Sequence, residues 1–166
     1  MENKTTKMDK VANLLEKIDK KTKELKQLKM DLRKVFNDIS DMWKEESSML
    51  FPQLKPCDIG EYVGVDVNIK GKVYNIFISE DRQKLCCMFS LDRKNKEYYS
   101  LSIKDAMDQV DFEKLKITVN EYLHQHNKKV CSTDVGYYVE FKKEQYDDAF
   151  QFYLKIVNTF IECQPK

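Results

Sequence analysis

The sequence predicts an α+β protein: a long N-terminal heptad helix, then a four- to five-stranded antiparallel sheet with helices packed on one face. Three observations predict it. Residues 8 to 46 carry apolar side chains on a seven-residue repeat, the mark of a helix that buries one seam. From Glu61 to Ile103 the apolar period changes to two, the mark of strands with one buried face. After Lys104 the helical period returns. The expected division is an extended coiled-coil-like helix over 1–48 and an α+β domain over 49–166, large enough for a single core.

With Val11 at heptad position a, the a positions are Val11, Ile18, Leu25, Leu32 and Ile39. The d positions are Leu14, Lys21, Leu28, Val35 and Met42, so only Lys21 breaks the apolar rule. Pro and Gly are absent from this stretch and strong helix formers fill it. At 1.5 Å per residue such a helix is roughly 58 Å long, more than a compact domain of this size needs. Leu15, Phe36 and Trp43 at e widen the seam. Phe36 and Trp43 are expected to pack on the protein's own sheet, leaving Val11, Leu14, Leu15, Ile18, Leu25 and Leu28 to project or meet a partner. The alternative is a kink near Lys20 to Lys23 that folds the helix back on itself. Ser47-Ser48 is expected to end the helix, Met49-Leu50-Phe51 to anchor the joint, and Pro52 and Pro56 exclude regular helix there.

The strand region alternates through Val63, Val65, Val67 and Ile69, then Tyr74, Ile76 and Ile78, then Leu85, Cys87, Phe89 and Leu91, then Tyr99, Leu101 and Ile103. Breaks at Lys70-Gly71, Glu80 to Gln83 and Asp92 to Lys96 give an antiparallel meander. Lys104 to Lys128 reads as helix, in two pieces meeting near Asp111. A fifth strand is expected at Tyr137 to Phe141, and a final helix over 143–162 whose broad apolar stripe suits it to cover the sheet.

Composition excludes several classes. The formal net charge is +1, so global charge gives no argument for nucleic acid or membrane. No stretch reaches the roughly 18 apolar residues of a membrane span. Met1 to Lys10 is polar, without the apolar core of a signal peptide, so a cytoplasmic protein is expected. Cys57, Cys86, Cys87, Cys131 and Cys163 are then expected as reduced thiols.

Candidates for chemistry are weak. His124 and His126 lie two apart, so on a helix they diverge by roughly 200° and cannot converge on one ion with Cys131. Asp134, Glu140 and Lys142 read D-x5-E-x-K, the loose shape of a metal-dependent nuclease signature, but they flank a single late strand. No nucleophile elbow and no glycine-rich phosphate loop is present, and no cofactor or resident metal is expected. Lys20, Lys23, Lys26, Arg33 and Lys34 fall at b, c and f, an outward basic stripe that could follow a phosphate backbone.

The order of a heptad helix, antiparallel strands and covering helices, with the runs Gly64-Val65-Asp66-Val67 and Met88-Phe89-Ser90-Leu91, resembles the coiled-coil-plus-RWD subunits of kinetochores. The extra strand before the last helix departs from that order. The resemblance implies topology alone and carries over no functional residue.

The functional expectation is a non-enzymatic interaction module working through Val11, Leu14, Leu15, Ile18, Leu25 and Leu28, by self-association or capture of a partner protein. The alternative is a small inhibitor or accessory factor of a nucleic-acid-processing ribonucleoprotein, such as an anti-CRISPR protein, using the basic stripe. A metal-dependent nuclease is the remote third.

Overall fold

The computed structural model describes residues 3–57, 62–81, 84–92, 113–133 and 136–162. The chain divides into two compact units, Met1–Ile39 and Ser40–Lys166. The first helix, α1, runs unbroken over Lys4–Leu50, without the alternative kink near Lys20 to Lys23. Its start is capped: the Asn3 side-chain oxygen accepts a hydrogen bond from the Thr6 backbone N–H at 2.8 Å. Its end lies one turn beyond the expected stop at Ser47-Ser48. Ser47 is buried and shares a 2.9 Å hydrogen bond with the Tyr153 hydroxyl, which holds that turn in place. The hard stop is Pro52, which follows directly after Phe51 donates the last N–H to the Ser47 carbonyl.

The sheet has strands β1 (Lys55–Pro56), β2 (Val63–Ile69), β3 (Lys72–Asp81), β4 (Lys84–Leu91), β5 (Cys131–Ser132) and β6 (Gly136–Lys142). Their spatial order is β1-β2-β3-β4-β6-β5, and every pairing is antiparallel. The meander β2-β3-β4 falls on the alternating runs. Its first turn is the expected Lys70-Gly71, with φ of 52° and 85°, the left-handed pair of a type I′ hairpin. The Asn68 side chain accepts the Gly71 N–H at 3.0 Å and closes it. The strand expected at Tyr99 to Ile103, and the helical piece before Asp111, lie outside the described residues. β4 lies between β3 and β6, and the two-residue strands β1 and β5 add edges that the alternation does not signal.

Register lines up one apolar face. Val65 pairs with Ile76, Ile76 with Phe89 and Phe89 with Tyr137; the next row joins Val63, Ile78, Cys87 and Val139. Helix α3 (Tyr146–Glu162) covers this face, with Phe160 packed 5.6 Å from the rings of both Tyr74 and Phe89. It follows a single 3-10 turn at Lys143–Gln145, so the expected helix over 143–162 starts with a tighter turn. Helix α2 (Glu113–His126) packs beside α3, its Tyr122 ring 4.5 Å from Phe152. It ends in a Schellman motif: Asn127 adopts φ 52° and the Lys128 N–H reaches the Leu123 carbonyl at 2.9 Å.

At Gly136, opposite Ser90, β6 leaves no room for a side chain against β4. A Cβ there would meet the Phe89 carbonyl oxygen at 2.5 Å and the Ser90 Cβ at 2.8 Å. Gly136→Ala is therefore expected to lower unfolding stability by about 1–3 kcal/mol, the usual range for overpacking, read from urea denaturation.

Candidate interaction surface

Burial on α1 follows a stripe that is not the heptad seam. Between Lys4 and Val35 every helical residue is exposed. Burial begins at Phe36 and continues at Ser40, Trp43 and Ser47. These four fall at e and b, centred about 100° around the axis from the a/d seam, at 100° per residue. In the second unit the reason is visible. Trp43 stacks on Phe150 at 5.2 Å with planes 7° apart, and meets Tyr62 edge-on at 5.8 Å. Ser40 donates its hydroxyl to the Tyr62 carbonyl at 3.0 Å. The small serines let the helix backbone lie close while Trp43 fills the gap. The expected packing of this end on the protein's own core therefore holds for Trp43.

The seam itself stays uncovered. Val11, Leu14, Leu15, Ile18, Leu25 and Leu28 are all between 53% and 65% exposed. Leu32, Val35 and Met42 continue the same exposed line. A shallow groove lined by Leu14, Lys17, Ile18, Lys21, Thr22 and Leu25 lies at its middle. The expected apolar anchor at the joint is narrower than the sequence suggests. Met49 and Leu50 are exposed and Phe51 alone is buried, because the extra turn of helix keeps the first two on the solvent side.

The basic stripe is exposed as well. Lys20, Lys23, Lys26, Arg33 and Lys34 all face solvent, and Lys23 pairs with Asp19 at 3.1 Å on its own helix. Exposed pairs of this kind contribute little.

The weaker chemical candidates occupy structural positions. Glu140 accepts a 2.9 Å hydrogen bond from Lys84 across the β4–β6 pair, and Asp134 lies outside the described residues. His126 stacks on Tyr122 at 4.1 Å, at the end of α2. Burial pushes the Cys86 thiol up to about 11, with the Glu140 and Asp81 carboxylates adding to it, and pushes Cys87 higher still. Neither is a ready thiolate near neutral pH. Among the described residues no group of three His, Cys, Asp or Glu side chains could hold a metal ion, and no helix is long and apolar enough to cross a membrane.

The sequence picks out Phe36 and Trp43 of this stripe but not Ser40 and Ser47, although the signal of the whole face is there. Phe36, Ser40, Trp43 and Ser47 recur at spacings of four, three and four, which is itself a helical face. Its serines hide it from a search for apolar residues. The Ser47–Tyr153 hydrogen bond is a test of that face. Burial pushes the Tyr153 pKa up, so the hydroxyl stays neutral and, shut away from water, needs a hydrogen-bond partner. Ser47→Ala should destabilise by about 1–3 kcal/mol, and adding Tyr153→Phe should recover part of the loss, in a double-mutant cycle followed by circular dichroism.

Comparison with family models, with curated proteins and with solved structures gives no match to this chain.

Proposed function

We propose that this protein is a non-enzymatic interaction module that works through the seam of α1, with Val11, Leu14, Leu15, Ile18, Leu25 and Leu28 as its contact residues. The observation that carries the reading is that every one of these side chains is more than half exposed. An apolar line this long is unfavourable in water, at about 25 cal/mol for each Å² left uncovered. Contiguous apolar patches larger than a few hundred Å² mark contact surfaces. The test is solution mass by light scattering together with a pull-down on the full chain, each compared with an Ile18→Asp, Leu25→Asp variant. A mass above one chain, or a retained protein, that is lost in the variant supports the reading. A monomer whose retained proteins are the same in both forms refutes it.

A second reading is supported by the exposure of Lys20, Lys23, Lys26, Arg33 and Lys34. In it the outward basic stripe binds the phosphate backbone of a ribonucleoprotein that the protein inhibits or assists. Binding to a short RNA that falls steeply with salt supports this reading, and absence of binding at low salt removes it.

A further inference from the structure

We infer that the occupant of the seam is a second copy of this chain, laid antiparallel so that Val11 lies across from Val35 and Ile18 across from Leu28 of the other copy. This rests on the interaction reading and goes further by fixing partner and orientation. The paired length, Val11 to Val35, lies wholly within the part of α1 that has no buried residue. It uses every apolar seam position in that part, and its midpoint lies at the exposed groove around Ile18, Lys21 and Leu25.

Apolar contact does not choose the orientation, because a parallel pair would use the same seam. Charge chooses it. In a parallel pair each d residue meets its own copy, so Lys21 would face Lys21 in the middle of the seam. In the antiparallel pair Lys21 faces Leu25 and its ammonium reaches solvent along its own stem.

The g positions give an independent vote. They are Lys10 and Lys17, then Glu24, Asp31, Asp38 and Glu45, basic first and acidic after. Only an antiparallel pair sets g against g. It puts Lys10 against Asp38 and Lys17 against Asp31, each twice by symmetry. The one like contact is Glu24 with its copy at the two-fold axis. A parallel pair sets g against e of the next heptad, and there only Glu24 with Lys29 is of opposite sign. Sliding the antiparallel pair by one heptad, with Val11 across from Leu28, would remove the Glu24 contact. It would also turn Leu32 and Val35 towards Lys7 and Lys4. That loses two of six all-apolar layers to relieve one solvent-exposed like pair, and burial outweighs a screened surface contact.

The test is charge exchange at Lys17 and Asp31, measured by sedimentation equilibrium of the full chain at low salt. Neither position contacts the other's charge in a parallel pair, where Lys17 faces Thr22 and Asp31 faces Phe36. Lys17→Glu alone and Asp31→Lys alone should each weaken the dimer by about tenfold, and the double variant should return it close to the original. A dimer indifferent to all three variants overturns the antiparallel arrangement and leaves the interaction reading standing. A wild-type chain that is monomeric at every concentration overturns self-association. Whether the interaction reading then falls is decided by the pull-down with the Ile18→Asp, Leu25→Asp form.

Discussion

Replacing Ile18 and Leu25 by Asp is expected to abolish association through α1, with a rise in dissociation constant of about 100-fold or more, while the second unit stays folded. The size follows from two terms. Each substitution removes a large aliphatic side chain from a contact, about 1.5–3 kcal/mol if fully covered. Each also brings a carboxylate towards an apolar layer, which is unfavourable unless it is paired. The two sites should not contribute equally. If the pair is antiparallel, Asp at 25 would face Lys21 of the other copy and find a partner, whereas Asp at 18 would face Leu28 and find none. Ile18→Asp alone should therefore account for most of the loss. Folding should be spared because both residues are exposed and neither touches the core: Ile18 is 60% and Leu25 is 53% exposed. The expected check is an unchanged thermal unfolding midpoint of the second unit beside a halved mass in light scattering. A fall in mass accompanied by loss of the β-sheet signal would place the two residues in the fold instead.

Trp43→Ala should have the largest effect on stability, about 3–5 kcal/mol, the range for emptying a buried aromatic site. Trp43 is 5% exposed, stacked on Phe150 of α3 and edge-on to Tyr62 just before β2. Those ring pairs add about 0.5–1.5 kcal/mol each beyond the area they bury. Small domains are stable by only about 5–15 kcal/mol in total, so the variant should unfold at much lower urea. The measurement must be circular dichroism, since Trp43 is the single tryptophan of the chain. In the wild type the same fact is useful: tryptophan fluorescence reports directly on whether the last turns of α1 are docked. A loss under about 1 kcal/mol would show that Trp43 is not the keystone of that contact.

Much of the architecture was legible because it is written in local periods. The seven-residue repeat announced a long helix, and α1 is one continuous helix. The period of two announced β2, β3 and β4, and Lys70-Gly71 announced their first turn. The stripe Tyr146, Ala149, Phe150, Tyr153, Leu154, Val157, Phe160 and Ile161 announced α3: Ala149, Phe150, Tyr153, Val157 and Phe160 are buried, Leu154 and Ile161 are half-buried, and Tyr146 at the first turn is exposed. The misses share a different character. β1 and β5 are two residues each, too short to show any period. Ser47 read as a helix stop, yet a hydroxyl from Tyr153, distant in sequence, holds the helix open for another turn.

The sequence by itself determined which residues share a face: the a/d line of α1 and the inward rows of the meander. Only the tertiary structure decided that Ser40 and Ser47 join Trp43 on the face that α1 uses for itself. It also decided that β4 pairs with β6. The physical reason is that periodicity depends on neighbouring residues along one element. Whether a small polar residue joins a buried face depends on which groups, far away in the chain, arrive to meet it, as the Tyr62 carbonyl and the Tyr153 hydroxyl do here.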